Sequence, residues 1–111
     1  MNKITIEQFK EVDIRVGQII KITHLKDGKY STHKLQINFG KEIGIKQSCA
    51  RLVNYSDEEL QNKFIVGILN FPPKQIGKNM SEVLILGVPD ENGECILLSP
   101  DNSVPMGGRV Y

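Results

Sequence analysis

Apolar and polar residues alternate along most of the chain, and helical spacing is confined to two short stretches. The organising segment is 64–88, where two Ile-, Val- and Leu-rich runs, 64–70 and 81–88, flank a polar insert. Each run is too short for an ordinary helix and predicts a buried strand. Pro72 and Pro73 have no N–H for a ladder and bias the preceding residue to extended backbone, so the first strand must stop near Asn70 or Phe71. The insert 74–80 is then a loop anchored at both ends by core strands, a common seat of function.

Upstream, Thr5 and Gln8 fit a capping box with Ile4 and Phe9 at the staple positions, which predicts a helix of one or two turns. Val12, Ile14, Val16, Ile20 and Ile22 then alternate with Asp13, Arg15, Lys21 and Thr23, interrupted at Gly17 and Gln18, as in a long half-buried strand with a bulge or bend. A polar stretch with a turn signal at Asp27 and Gly28 leads to Leu35, Ile37 and Phe39, which alternate with Lys34, Gln36 and Asn38 in a second strand. Gly40, Lys41 and Glu42 turn the chain into a third strand over 43–48, with Ile43 and Ile45 on one side and Gly44 and Lys46 on the other. A second capping box at Ser56 and Glu59, with Tyr55 and Leu60 as staple, predicts a short helix ending near Asn62.

Three strands, a helix and two more strands is the order of the OB-fold, an all-β five-stranded barrel with its short helix between strands three and four. Beyond Val88, a turn over 90–93 leads to the apolar run 95–98, outside the five-strand core. The chain of 111 residues reads as a single domain, 1–111, with an N-terminal helix and a C-terminal strand as extensions. A barrel covers one face of that last run. A homodimer built on 1–11 and 94–111 would cover the other, and packing within the chain is the alternative.

Composition narrows the class. No apolar run approaches the ~20 residues of a membrane span and nothing resembles a signal peptide, so a soluble, cytoplasmic protein is expected. Cys49 and Cys95 stand alone and read as reduced, partly buried thiols. The net charge is only +1, yet from Arg15 to Arg51 eight basic residues face two acidic ones, and after Arg51 four face eight. Either lysines simply occupy the wet faces of strands, or a basic surface meets phosphate. An enzyme is disfavoured: His24 and His33 flank a polar loop with no partnered nucleophile, and no metal-ligand cluster or phosphate-cradling loop is visible, so neither metal nor cofactor is expected.

Segments 9–17, 39–48, 70–76, 81–86 and 104–110 resemble the tRNA-binding domain family. Within it they are similar to the stand-alone CsaA branch, described as export-related chaperones. The resemblance covers almost the whole chain and implies an OB-fold homodimer that binds structured tRNA, with unfolded preproteins and the export machinery as further partners. An OB-fold gripping single strands normally supplies aromatic platforms. Here there is no Trp, and Phe9, Phe39 and Phe64 fall in apolar phase, leaving Tyr30, Tyr55 and Phe71. Recognition of a folded RNA by shape and backbone asks less of stacking, with Lys34, Lys46, Lys74 and Lys78 on phosphates and Gln47, Ser48, Asn70 and Ser81 on sugars or base edges. Asn70 and Ser81 have an alternative role in holding turns through side-chain bonds to backbone. A rival function is peptide binding in an apolar groove lined by Phe71, Ile76, Met80 and Met106, for which ordinary packing at a dimer seam is the alternative for the two methionines.

Overall fold

The computed structural model describes residues 1–26 and 30–111; the turn expected at Asp27 and Gly28, and Lys29 beside it, lie outside the described residues. The chain opens with helix α1, Ile6–Lys10, where Thr5 and Gln8 form the expected reciprocal capping box. Strand β1, Ile14–His24, is the long one, followed by β2, His33–Asn38, and β3, Ile45–Ala50. Helix α2, Asp57–Leu60, is capped by Ser56 and Glu59 as the sequence predicts, and it inserts Leu60 into the core. Strand β4, Phe64–Ile68, then returns beside β1. The remaining strands are short: β5, Lys74–Ile76; β6, Asn79–Ser81; β7, Leu84–Ile85; β8, Gly87–Pro89; and β9, Cys95–Leu97.

The main sheet has five antiparallel strands in the order β3-β2-β1-β4-β7, rolled into a nearly closed barrel of the OB type. Strands β5 and β6 pair as one hairpin, and β8 and β9 as another. β1 can serve two neighbours because it is long and bent. Its first half pairs with β4, its second half with β2, and the register slips between Ile19 and Lys21. The bulge therefore lies just past the expected Gly17 and Gln18. Gly17 and Ile19 share the core-facing side before it and Ile22 packs against the core after it, so Ile19 is fully buried although the alternation starting at Val12 places it outside.

Gly17 has a different purpose, which is packing. A Cβ there would sit 2.6 Å from Ile37 Cγ2 and 2.7 Å from Phe39 Cε1, closer than real side chains approach. Removing that one carbon lets Phe39 enter the core, where it lies with Ile19, Leu35, Ile37, Leu52, Leu60 and Ile65.

Three expectations need correction. β3 begins at Ile45, not Ile43, because Gly44 takes a left-handed φ of 86° and returns its N–H to Gly40 O, which extends the turn; Ile43 packs partly against the core while Ile45 is exposed. The insert 74–80 is no open loop but most of the β5–β6 hairpin, turned at Gly77 with a φ of 60°. The run 81–88 is no continuous buried strand: it breaks into the end of β6, β7 and the start of β8, with Val83 buried and Leu84 and Val88 about half exposed. Beyond β9, residues 107–110 lie against the first half of β1, on the edge that β2 leaves free: Gly107 N–H donates to Val16 O, Val16 N–H to Gly108 O and Val110 N–H to Ile14 O.

Gly17→Ala is expected to lower stability by about 1–3 kcal/mol through overpacking against Ile37 and Phe39, read as a shift in the urea midpoint at unchanged slope. An unshifted midpoint would mean that Phe39 has room to withdraw.

Candidate nucleic-acid interface

On a pleated sheet, directly paired residues share a face. The register pairs Lys34 with Cys49, Gln36 with Gln47 and Asn38 with Ile45, so these six side chains form the outer surface of β2 and β3. Thr23 and Lys21 extend it across β1, opposite Lys34 and Gln36. Lys46 pairs with Ile37 and Ser48 with Leu35, both core residues, which turns them away from that surface. Ser48 is 1% exposed, and its hydroxyl donates to Val83 O at 2.8 Å. It is a barrel-closing residue and has no surface to offer RNA. Lys46 is half-buried.

The β5–β6 hairpin docks on the outer surface of β3 through polar side chains. Gln47 Nε2 donates to Met80 O at 2.9 Å and Cys49 N–H donates to Ser81 Oγ at 3.1 Å. Lys34 Nζ donates to Asn79 Oδ1 at 3.2 Å, reaching from β2 to the hairpin. Gln36 Nε2 donates to Gln47 Oε1 at 2.9 Å and fixes the amide that holds the hairpin. Lys74 pairs across the hairpin with Ser81, and Lys74 and Lys78 are both exposed. The structure thus brings together Lys34, Gln47, Lys74, Lys78 and Ser81 of the expected set. Gln36 and Asn79, which sequence reading did not single out, organise them; the alternation of Lys34, Gln36 and Asn38 was the available signal for Gln36.

Asn70 lies elsewhere, at the junction of α1 and β1. Its Oδ1 accepts Asp13 N–H at 2.8 Å and its Nδ2 donates to Glu11 O at 2.6 Å, so both ends of the amide are spent on backbone. Tyr55 is likewise committed: its ring packs against the core and its hydroxyl accepts Leu97 N–H at 2.9 Å. It offers no stacking platform. Tyr30 and Phe71 remain exposed, at 82% and 48%.

The charges divide by residue type. Among the described residues the ion pairs apart from the His24–Asp57 contact engage the arginines: Arg15 and Arg109 with Asp13, and Arg51 with Glu94. Lys34, Lys74 and Lys78 appear in none of them, which leaves the basic face to lysine ammonium groups. Burial pushes the Cys49 thiol above its ordinary value, and the ammonium of Lys34 beside it pulls the other way. Of the apolar candidates, Phe71, Ile76 and Met80 belong to the hairpin and its approach, with Met80 46% exposed. Met106 packs over the β2–β3 turn, where its carbonyl would lie 2.7 Å from any Cβ at Gly40.

Comparison with known proteins is consistent across sequence and structure. The family of tRNA binding domains matches residues 14–109. Methionine–tRNA ligase of Archaeoglobus fulgidus is 33% identical over 109 residues, covering 97% of this chain and 16% of the ligase; that of Methanothrix thermoacetophila is 33% identical over 104 residues, covering 94% and 15%. The chain therefore spans about one-sixth of the length of these ligases. Among solved structures, the CsaA chaperone protein from Picrophilus torridus superposes with a TM-score of 0.90 at 43% identity, covering 98% of this chain and 100% of that one. The chaperone CsaA from Bacillus anthracis gives 0.90 at 35% identity, covering 99% and 100%.

Replacing Asn70 with Ala should cost about 0.5–1.5 kcal/mol of stability, since the Asp13 amide and Glu11 carbonyl lose their partner, while the salt dependence of RNA binding stays as in the parent. Thermal melts and a salt series on the same variant separate the two roles; a flattened salt slope at full stability would return Asn70 to the binding face.

Proposed function

The chain belongs to the family of tRNA binding domains, and from that premise we propose that it is a non-catalytic module binding structured tRNA through the surface where the β5–β6 hairpin meets β2 and β3. The observation that carries this reading is the grouping of Lys34, Lys74 and Lys78 around a rigid polar seam, outside the ion pairs that engage the arginines. Lysine heads on a fixed frame can follow a phosphate backbone, while Gln47 and Ser81, whose side-chain polar atoms already hold Gln36, Met80, Cys49 and Val83, would offer a second amide hydrogen and spare lone pairs to sugars or base edges. Lys46 would contribute from the opposite face of β3. The scarcity of exposed aromatics favours a folded RNA over a splayed single strand.

The functional unit we propose is a single 1–111 domain acting as a cytoplasmic homodimer. Its support is the largely apolar groove of about 480 Å³ between α1 and the C-terminal segment, where Ile6, Phe9, Val12, Val110 and Tyr111 line it beside Lys10 and Arg109, with Ile6 59% exposed. Segments 1–11 and 94–111 would supply the seam, and light scattering at micromolar concentration should give twice the chain mass. Two copies of the basic face could then engage one RNA together. Among the described residues no helix is long and apolar enough to cross a membrane.

A second reading has its own observation. Phe71 and Met80 present adaptable apolar surface on and beside the hairpin, and the superposing structures are named CsaA chaperones. Unfolded preproteins, and with them the export machinery, would meet the protein there, with Ile76 and Met106 as further lining.

Two expected outcomes test these readings. Lys74→Ala should weaken binding to folded tRNA and reduce the slope of log affinity against log salt by about one phosphate contact, measured by fluorescence anisotropy; an unchanged slope removes Lys74 from the face. Met80→Glu, in a protein that still scatters as the parent does, should abolish binding of an unfolded preprotein segment if the apolar surface receives peptide, and intact binding would eliminate that surface.

A further inference from the structure

The two histidines converge with an acid. His24 closes β1 and His33 opens β2, directly opposite in the register, with ring centroids 4.7 Å apart. Asp57, at the first turn of α2, accepts a hydrogen bond from His24 Nε2 at 2.7 Å. One ligating atom from each of His24, His33 and Asp57 lies within 4.8 Å of the other two. His33 was expected beside a polar loop; it is instead 5% exposed, and its Nε2 is a buried nitrogen with no hydrogen-bond partner among the described residues. A buried polar atom left without a partner is destabilising and rare in folded proteins, so its retention asks for a ligand.

The other ring nitrogen shows what kind. His33 Nδ1 is 2.6 Å from Thr32 Oγ1, an oxygen that also accepts Leu52 N–H at 2.9 Å and faces Ala50 O at 3.5 Å. With the hydroxyl proton directed to Ala50 O, Thr32 accepts Nδ1–H, and the lone pair is left on Nε2, the buried nitrogen without a partner. An imidazole fixed by a hydrogen bond at one nitrogen and open at the other is the arrangement of a metal-ligating histidine.

We propose that His24, His33 and Asp57 form a binding site for a divalent transition-metal ion of the zinc class, pinning the end of the β1–β2 hairpin to α2. Two imidazoles and one carboxylate suit zinc, with a water as fourth ligand. Bonds of about 2.0–2.1 Å place tetrahedral ligand atoms about 3.3 Å apart, so His24 Nε2 and Asp57 Oδ1, 2.7 Å apart, must separate while the wider spacings of the cluster, up to 4.8 Å, close. His24 and Asp57 can do this, since their side chains are 62% and 57% exposed, while the buried His33 stays fixed. The ion would take the place of the hydrogen bond between His24 and Asp57.

The test uses the full chain, stripped by chelator and titrated with zinc by calorimetry and with cobalt by visible absorption. The expected result is one ion per chain, cobalt bands of a low-coordinate nitrogen and oxygen site, and a zinc-dependent rise in melting temperature. His24→Gln and Asp57→Asn, both at exposed positions, should each weaken binding by on the order of 10- to 100-fold and remove the bands while the metal-free melt stays close to the parent. Absence of binding at micromolar zinc, equal binding by both variants, or bands that vanish in Cys49→Ser or Cys95→Ser instead would each overturn the proposal.

Discussion

Closure of the barrel rests on a seam that backbone pairing alone does not make. Between β3 and the segment that leads into β7, one backbone bond, from Glu82 N–H to Gln47 O, is joined by three in which a side chain stands in for a ladder partner. Glu82 Oε1 accepts Gln47 N–H, Ser81 Oγ accepts Cys49 N–H, and Ser48 Oγ reaches Val83 O. An open strand edge is both unstable and prone to pair with other chains, so these substitutions complete the fold as well as the sheet. They also explain why the basic surface is rigid. The hairpin bearing Lys74 and Lys78 is continuous with the same seam and is held by Gln47 from the same strand.

The seam imposes a division of labour among polar residues that look alike in sequence. Ser48 and Ser81 both belong to closure; Gln47 both closes and faces outward; Asn70 serves the junction of α1 with β1. Arginines secure ends of the fold, with Arg109 reaching Lys10 O and Arg15 reaching Gly107 O, while lysines remain on the face. Guanidinium suits the first role because its planar fork satisfies several fixed acceptors at once, and the flexible ammonium suits contact with a mobile phosphate chain.

Much of the fold was legible because it follows from local rules. Both capping boxes, the alternation of β2, the antiparallel hairpin after it and the order of strands and helix are each written in neighbouring residues. What stayed hidden depends on residues far apart. The bulge past Ile19 reverses the phase of β1 only because β2 and β4 demand different halves of the strand. Ile45 looks like a core residue until the left-handed Gly44 moves the strand start. Of the candidate site, the lysines of the 74–80 segment could be read from the prolines that stiffen its approach, whereas the inward turn of Lys46 and Ser48 needed the register. The cluster of His24, His33 and Asp57 spans two strands and a helix, and no spacing in the sequence announces it.

The C-terminal segment laid along β1 has a consequence for synthesis. Arg15 and its acceptor Gly107 are 92 residues apart, so the first strand emerges from the ribosome long before the residues that finish its free edge. At about 5–20 residues per second that interval is roughly 5–20 s, during which residues 14–16 present unpaired backbone beside an apolar face. Contacts of such long range are also slow to form, because loop closure must be met before they contribute. The nascent chain is thus exposed longest at the central strand of the main sheet, where charged Asp13 and Arg15 flank Ile14.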